Sequence, residues 1–436
     1  MMKKLLSTLL IVMLVMTTPF ALAEKTHIVF WHSMTDAAGA LVEKYVADFN
    51  ATIGEQLGIE VEAVFQGTYA DATTKLNGIL SSGNTEALPH VMQMDATGKI
   101  SYANSGVAYT VDDMLADAPD TDLSSLMAAA VANWNYAGVQ LGLPFATSTT
   151  VMYYNKTLLD AAGVSAPETF ADIAALKAAL PEKTAEGNDL VIYACVPNTP
   201  TLANWLGQLG SYVVDNNNGS EGRAEKLDCI ENGALETFLT EWKALYASGA
   251  LENNSGSADA FIAGQQLLLT GSSSNITSNI AKIDGRFEMG VTNYPKVNAD
   301  ASFGATVSGS CLVMFNKGDA ANAASRELVK YLTSAEVQAD FGKGTGYIPS
   351  NSAALDTEVY QELLAANAAY AVGIQQLSET PAAMRSVTVG PSADFYYGIQ
   401  NCIMDMLEDD MSAEEAVELF EDELGGLLTQ YAKANS

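Results

Sequence analysis

Residues 27–50 read HIVFWHSMTDAAGALVEKYVADFN, and they begin the pattern that decides the fold. The segment 27–31 is a short apolar strand, and the apolar residues that follow recur at helical spacing: Leu41, Val42, Tyr45, Val46 and Phe49. Residues 59–65, IEVEAVF, alternate as in a strand with one exposed face. A helix around residues 76–80 and a strand at 90–94 follow. This β-α-β-α-β order predicts an α/β domain with a largely parallel sheet.

The same rhythm resumes in the middle of the chain and predicts a second α/β unit. Its strands are expected at residues 150–154 and 191–195, with helices between them. The C-terminal third is mostly helical. Two capping boxes predict helix starts there, namely Thr333-x-x-Glu336 and Ser412-x-x-Glu415.

The N-terminus has the three parts of a Sec-type signal peptide. Two lysines precede the apolar run 5–16, and Ala21-Leu22-Ala23 supplies a cleavage motif. The run is shorter than the roughly 20 apolar residues that a membrane-spanning helix needs. We therefore expect residues 1–23 to be removed and the mature protein to work in the periplasm or outside the cell, without direct membrane insertion. Because Glu24 and not a cysteine follows the cleavage point, we do not expect a lipoprotein.

Length and charge narrow the class of protein. A chain of 436 residues is too long for one ordinary core and suits two domains. The formal net charge is −31, which argues against nucleic acid as a partner and against docking on anionic lipid. If the ligand is an anion, local donors must overcome this unfavourable global field.

Cysteines and acidic residues give no metal or redox motif, so no metal and no cofactor are expected. No CxxC occurs, and the stretch 215–222 fails as an EF-hand because Ser220 and Lys226 stand where Gly and Glu are required. The sequence does not determine how the cysteines pair, although buried thiols are favoured at Cys311 and Cys402. The four cysteines are Cys195, Cys229, Cys311 and Cys402.

No catalytic motif stands out. The chain has three histidines, none of them in HExxH, and it lacks a GxSxG nucleophile elbow. Its 52 acidic side chains do not exclude a glycosidase, but no spacing selects a carboxylate pair. What recurs instead is small hydroxyl residues at predicted strand ends. The clusters at 146–150 (ATSTT) and 271–275 (GSSSN) predict donor-rich pockets for hydroxylated or anionic ligands.

Three motifs, in order, resemble a known family. They are Phe30-Trp31-His32-Ser33-Met34, Leu143-Pro144-Phe145 running into Val151-Met152-Tyr153-Tyr154-Asn155-Lys156, and Thr345-Gly346-Tyr347-Ile348-Pro349. The chain resembles the extracellular solute-binding proteins (family 1) of ABC importers, and most of all their sn-glycerol-3-phosphate-binding branch. The similarity runs from about residue 28 to the C-terminal helices.

The resemblance implies a two-lobed periplasmic-binding-protein fold of type II, a flytrap of two α/β lobes with a mostly helical C-terminal part. Residues 24–130 and 305–343 would form lobe one, and residues 131–304 and 344–436 lobe two. Such a protein is not an enzyme. As a monomer it captures a small solute between the lobes and delivers it to the transmembrane subunits of an ABC permease, and only a difference in affinity between open and closed forms drives closure.

The branch's ligand pattern also implies particular site residues. Four side chains match it in type: Tyr69, Ser148, Ser272 and Tyr347. Three further positions depart from it. Asp95 stands near a missing glutamate, Ser308 replaces a glycine, and Arg385 is three residues from the expected arginine position, which Thr388 occupies. We expect Trp31, His32 and Trp205 as candidate rim residues.

These departures leave two ligand classes open. Charged contacts to phosphate are strong, so a lost arginine would disfavour sn-glycerol-3-phosphate or its diesters and favour a sugar. Trp134 and Trp205 offer indole faces that suit sugar rings. A secreted carbohydrate-active enzyme and a binding protein for an unrelated solute remain the alternatives.

Overall fold

The computed structural model describes residues 25–381 and 384–435. The predicted signal peptide and its cleavage point lie outside these residues. Among the helices of the described ranges, none is long and apolar enough to cross a membrane.

The strands follow the predicted order. They are β1 (Thr26–His32), β2 (Ile59–Phe65), β3 (Val91–Met94), β4 (Ala108–Tyr109), β5 (Asn135–Tyr136), β6 (Val139–Gln140), β7 (Leu143–Asn155), β8 (Val191–Ala194), β9 (Leu251–Glu252), β10 (Gln266–Ser272), β11 (Met289–Thr292), β12 (Val307–Phe315) and β13 (Ile348–Pro349).

Helices cover both faces of the sheets and most of the C-terminal third. They are α1 (Asp36–Phe49), α2 (Glu55–Leu57), α3 (Tyr69–Ser82), α4 (Lys99–Ala103), α5 (Val111–Asp117), α6 (Ala128–Ala132), α7 (Lys156–Ala162), α8 (Phe170–Ala179), α9 (Thr199–Gln208), α10 (Asp215–Gly219), α11 (Asp228–Glu231), α12 (Ala234–Ala247), α13 (Ala258–Ile262), α14 (Ile276–Ile283), α15 (Asp319–Leu332), α16 (Ala335–Thr345), α17 (Glu358–Ala366), α18 (Ala369–Glu379), α19 (Ser392–Glu408), α20 (Ala413–Phe420) and α21 (Gly426–Ala434).

The strand β7 joins the two halves of the sheet. The strand order is β2-β1-β3-β12-β7-β10-β8-β9, with β1, β2 and β3 parallel as predicted. The first part of β7 pairs with β12, and its second part pairs with β10 and β11. One continuous strand therefore belongs to both lobes.

Lobe one is built on β1, β2, β3 and β12. The apolar side of this sheet packs under α1, α15 and α16, and its buried core includes Ile28, Phe30, Leu312 and Phe341. The opposite side is covered by a smaller cluster around Trp31, Met92 and Val313. Both faces are thus buried, as the apolar strands of a parallel sheet require.

Lobe two is organised around an aromatic cluster. Trp205 stacks on Phe238 at 5.4 Å between ring centroids and on Tyr294 at 4.9 Å, and Trp242 closes the group at 5.0 Å from Trp205. The indole Nε1 of Trp205 donates to the Pro295 carbonyl at 3.1 Å, so the one polar atom of this side chain is satisfied. Helices α19 to α21 complete this core, which includes Phe395, Ile399 and Leu428.

The sequence predicts that the chain passes between the lobes after residues 130, 304 and 343. We propose that the first and the third of these crossings lie elsewhere. Leu141 packs in one buried cluster with Met92 of lobe one, which favours a first crossing inside β7 and not after residue 130. Tyr370 packs with Val151 of lobe two. This contact favours a third crossing before α18 and after the predicted residue 344.

Several local predictions can be compared with the structure. Ser412 forms a capping box with Glu415 as predicted, but the helix predicted to start at Thr333 is capped by Ser334. The hydroxyl cluster at 146–150 lies inside β7 and does not precede the strand. Its backbone is satisfied by pairing with β12, so the hydroxyl groups do not break the strand.

Two further local features concern the polar stretch 215–222 and the cysteines. In α10, Asn216 to Asn218 have φ values of 53° to 57°, so this segment is a left-handed turn and not a regular helix. All four cysteines are unpaired and buried, which confirms the buried thiols predicted at Cys311 and Cys402.

The approach of β12 to β7 generates a prediction at Gly309. Gly309 has φ +106°, and a Cβ added there would lie 1.8 Å from the Ala146 carbonyl oxygen. We expect Gly309→Ala to lower the free energy of unfolding by at least about 3 kcal/mol, because backbone at the crossing must move. Chemical denaturation of the ligand-free protein measures this.

A matched control separates the crowding from the backbone conformation. Gly163 also has a positive φ, +69°, but a Cβ there would meet nothing within 4 Å. Gly163→Ala should lose only about 1–2 kcal/mol, the conformational penalty alone. Equal losses for the two variants would contradict the proposed close contact at the crossing.

Candidate ligand-binding cleft between the lobes

Two adjoining cavities lie between the lobes, at the start of β12 near Val307. The first has a volume of about 250 Å³ and the second about 490 Å³. Both are lined by Asn133, Val307 and Ser386, so they are neighbouring parts of one cleft. We call the first the hydroxyl cavity and the second the cationic cavity, after the side chains described next.

The hydroxyl cavity holds buried polar groups with no hydrogen-bond partner among the described residues. The Thr388 side chain is 3% exposed, and neither its Oγ1 nor that of Thr199 has a partner. Both residues line this cavity together with Asn133, Ser308 and Tyr396. Buried hydroxyl groups are almost always hydrogen-bonded, so these two point to a ligand or to water in the cavity.

Asp95 brings a carboxylate to the hydroxyl cavity. It follows β3 directly, and its Oδ1 accepts from the Thr97 hydroxyl at 2.6 Å and from the Thr97 amide at 3.2 Å. Burial raises the pKa of Asp95, although these two bonds to Thr97 act in the opposite direction. Asp95 can therefore accept a hydrogen bond from a ligand hydroxyl group.

Two basic residues line the cationic cavity, Lys99 and Arg385. Lys99 begins α4 and is only 1% exposed, with its Nζ 5.2 Å from the centre of the Trp134 ring. Burial lowers the pKa of Lys99 to about 8, and the charge of Arg385 acts in the same direction. The Arg385 carbonyl accepts from Asn218 Nδ2 at 2.7 Å, which fixes its backbone.

A separate group of hydroxyl residues, the tyrosine cluster, lies where the lobes touch. Gln93 Nε2 donates to the Tyr69 hydroxyl at 3.0 Å and to Ser310 Oγ at 2.8 Å. Burial raises the pKa of Tyr347, and hydrogen bonds with Ser274 and Tyr69 act against this rise. Tyr347 thus connects Tyr69 of lobe one with Ser274 of lobe two.

Ser272 and the ring of Tyr347 complete the tyrosine cluster. The hydroxyl groups of Ser272 and Ser274 are 2.9 Å apart, and Ser272 lies at the end of β10 as the predicted strand-to-helix turn requires. The Tyr347 ring stacks on Phe341 at 5.4 Å between centroids with an interplanar angle of 10°. The ring is therefore held in place by lobe one.

The predicted site residues consequently fall into two groups. Asp95, Ser308 and Arg385 line the two cavities, whereas Tyr69, Ser272 and Tyr347 belong to the tyrosine cluster. Ser148 is buried and lies opposite Ser308 in the β7–β12 register, at the crossing itself.

The structure places the three candidate rim residues away from the two cavities. Trp205 is fully buried in the aromatic cluster of lobe two. Trp31 lies in the second core of lobe one with the Lys75 ammonium 4.1 Å from its ring centre. His32 is buried beside a shallow surface cavity of about 370 Å³ that also contacts Glu43 and Phe65. Packing against core neighbours explains the positions of Trp31 and Trp205.

Several cleft residues were missed or left undecided by the sequence. Lys99, Thr199 and Gln93 carry no motif, although Lys99 follows the end of β3, the strand edge where ligands bind in α/β sheets. Trp134, weighed as a sugar-binding residue, does line the hydroxyl cavity. So does Tyr396, whose hydroxyl accepts from Asn198 Nδ2 at 3.1 Å.

A fold of two α/β lobes that share crossing strands and enclose a cleft defines a binding protein of the flytrap class. The profile of the bacterial extracellular solute-binding protein family matches residues 44–368. The chain therefore belongs to this family. Its members are binding proteins that act outside the cytoplasm, where they capture small solutes and deliver them to the permeases of ABC importers.

Individual relatives agree with this assignment. The sn-glycerol-3-phosphate-binding periplasmic protein UgpB of Yersinia pestis bv. Antiqua (strain Antiqua) is 25% identical over 367 residues, which cover 82% of this chain and 81% of UgpB. Among solved structures, UgpB from Mycobacterium tuberculosis in complex with glycerophosphocholine has a TM-score of 0.73 at 17% identity, covering 94% and 99% of the two chains.

A sugar-binding protein has an equally similar fold. The cyclic α-maltosyl-1,6-maltose binding protein from Arthrobacter globiformis has a TM-score of 0.75 at 18% identity, covering 93% of this chain and 100% of that protein. At these identities the solved structures show the shared two-lobed fold and not the ligand.

The unpartnered Thr388 hydroxyl generates a prediction for the ligand-free protein. Thr388→Val removes a buried polar group that has no described partner, so we expect the free energy of unfolding to stay equal or rise by about 1 kcal/mol. The matched control is Thr333→Val. The Thr333 hydroxyl donates to the Val329 carbonyl at 2.9 Å, and its loss should lower stability by about 1 kcal/mol. Equal destabilisation would show that Thr388 is satisfied within the protein.

Proposed function

We propose that this chain captures a small hydroxylated solute in the cleft between its lobes and presents it to the transmembrane permease of an ABC importer. The observation that carries the proposal is the hydroxyl cavity, where the buried hydroxyls of Thr199 and Thr388 have no described partner. A ligand that donates to and accepts from these groups would satisfy both. Because Asp95 of lobe one lines the same cavity, a ligand that also contacts Asp95 would bridge the two lobes and bind the closed arrangement more tightly.

The contacts between the lobes supply the closing step. Tyr347 lies beside Ser274 at the lobe boundary, and a Cβ added at Gly346 would lie 3.0 Å from the Ser274 carbonyl oxygen. Because lobe two approaches the backbone of lobe one here, a solute that bridges the cleft stabilises this closed form over the open one. The permease would then distinguish the two forms by shape.

Phosphate esters of glycerol are the first ligand class we propose. UgpB of Yersinia pestis is named for binding sn-glycerol-3-phosphate, and UgpB of Mycobacterium tuberculosis was solved with glycerophosphocholine. Arg385 supports this choice because it lines the cationic cavity, although it is displaced in sequence from the branch's arginine position.

A sugar is the second ligand class, and Trp134 and Tyr396 favour it. Both aromatic residues line the hydroxyl cavity, where their faces can pack against the apolar face of a sugar ring. The Arthrobacter globiformis protein is named for a cyclic maltose derivative.

We propose that the chain binds its solute without chemical conversion. Most glycoside hydrolases use two carboxylates that flank the scissile bond. Among the described residues, Asp95 is the one carboxylate that lines either cavity. In the same ranges, no group of three or more His, Cys, Asp and Glu side chains is arranged to hold a metal ion. Product formation from any solute in the panel below would overturn this proposal.

We further propose that export involves cleavage after Ala23 and no lipid anchor. The proposal is supported by the apolar run 5–16, the Ala-x-Ala motif and Glu24 at the first mature position. Mass spectrometry of the protein secreted from its host measures the mature N-terminus.

A thermal-shift screen tests the proposed function. The panel contains sn-glycerol-3-phosphate, glycerophosphocholine, maltose and monosaccharides. At a concentration near 100 times Kd, a bound solute adds about 2.7 kcal/mol of stability, which raises the melting temperature measurably. No shift with any member would contradict capture of a hydroxylated solute, and a shift with sugars alone would select the second ligand class.

Hydroxyl deletions in the tyrosine cluster test whether it contributes to binding. Ser272→Ala and Tyr347→Phe should each weaken binding of the solute that gives the largest thermal shift by about 3–10-fold, because one hydrogen bond is lost. Ser278→Ala serves as the control, since this exposed serine lies in the same segment and bonds only to the Asn275 carbonyl. Calorimetric titration gives the affinities, and wild-type values for both cluster variants would exclude the cluster from the site.

A further inference from the structure

Lys99 is the most unusual charged group in the cleft. It is 1% exposed and lines the cationic cavity. No acceptor in residues 25–381 or 384–435 forms a hydrogen bond with the Lys99 Nζ. This Nζ lies 5.2 Å from the centre of the Trp134 ring. An ammonium group buried without an acceptor is strongly unfavourable, and a cation–π contact recovers only part of the lost hydration.

Among the described residues, the charged side chains that line the cationic cavity are both basic. Arg385 lines the same cavity, and its charge lowers the pKa of Lys99. No carboxylate of the described ranges lines the cationic cavity; Asp95 lines the neighbouring hydroxyl cavity, and its charge raises the pKa of Lys99 against the effect of burial. Two cations therefore line a space of about 490 Å³ that no carboxylate of the described ranges lines with them.

Hydroxyl groups and amides extend from these cations towards the hydroxyl cavity. Asn133 and Ser386 line both cavities, and Ser220 and Thr380 line the cationic one. A single small ligand can therefore place an anionic group between Lys99 and Arg385 and its hydroxyl groups near Thr388 and Ser308. Such a ligand would match the two halves of the cleft in charge and in hydrogen bonding.

We propose that Lys99 and Arg385 form an anion-binding subsite that holds the phosphate group of the transported solute. This inference rests on the proposed function and narrows it to phosphate esters. It assigns a ligand-binding role to Lys99, a residue that the family resemblance did not point to. The chain has a formal net charge of −31, which repels anionic ligands. The two cations of the subsite would oppose this repulsion locally.

The charge state of Lys99 makes binding depend on pH. The charged and titratable groups that influence it are Asp95, Arg385 and the buried Cys311 thiol, whose own pKa burial raises. Since the pKa of Lys99 is lowered to about 8, its ammonium is fully charged well below pH 8 and loses its proton above. Affinity for a phosphate ester should therefore be highest near pH 7 and fall as pH rises through this range.

Calorimetric titration at pH 7 tests the subsite with three proteins. The probes are sn-glycerol-3-phosphate, glycerophosphocholine and maltose. Lys99→Met keeps the side-chain length and removes the charge, and we expect it to weaken binding of both phosphate esters on the order of 100-fold. Lys75→Met is the control, because it removes the same charge from an exposed position of lobe one and should change affinity less than about 2-fold.

Wild-type protein supplies an independent measurement if Lys99→Met fails to fold. Its Kd for glycerophosphocholine, whose phosphodiester does not titrate in this range, should rise about 10-fold between pH 7.5 and pH 9. Maltose binding should stay flat over the same range.

Four outcomes separate the anion subsite from the proposed function. Equal affinity of Lys99→Met and wild type for the phosphate esters, or a flat pH profile, overturns the subsite. Binding of maltose alone to wild type also overturns it, but leaves the proposed capture of a hydroxylated solute intact. Failure of all three probes and of the thermal-shift panel overturns both.

Discussion

The rest of the structure depends on one strand that pairs on both sides of the crossing. β7 forms its first bonds with β12 in lobe one and its last with β10 and β11 in lobe two. At the crossing, Gln376 of α18 donates to Thr149 Oγ1 at 3.1 Å and to the Thr150 carbonyl at 2.7 Å. The lobes are therefore linked through hydrogen-bonded backbone, and Thr147, Ser148 and Thr149 are buried where β7 pairs with β12.

Elements with strong local signals could be predicted from the sequence. The β-α-β order, the strand-to-helix turn at Ser272 and the capping box at Ser412 depend on nearby residues, and the structure agrees with them. The sequence predicts the cluster at 146–150 at the start of a strand, whereas ladder pairing with β12 extends the strand through the whole cluster. Tertiary pairing overrides local preference at this position.

The cleft was predictable only where family motifs marked it. Asp95, Ser308 and Arg385 were found through that resemblance and line the cavities, yet nothing in the sequence distinguishes Trp134 from Trp205. One tryptophan lines the hydroxyl cavity, and the other is enclosed by Phe238, Trp242 and Tyr294. Burial of Lys99 is likewise a property of the packed lobes, because it depends on Trp134 and Arg385, which are distant in sequence.

The central claim is that the two lobes close on a solute held in the cleft between them. Pulsed electron-electron distance measurement between spin labels on Leu57→Cys of lobe one and Tyr246→Cys of lobe two tests this most directly, since both positions are exposed. The four native cysteines are buried and should label poorly. Saturating solute should shift the distance distribution to a single shorter, narrower population. A distribution that is unchanged by a solute known to bind would contradict closure of the lobes as the basis of capture.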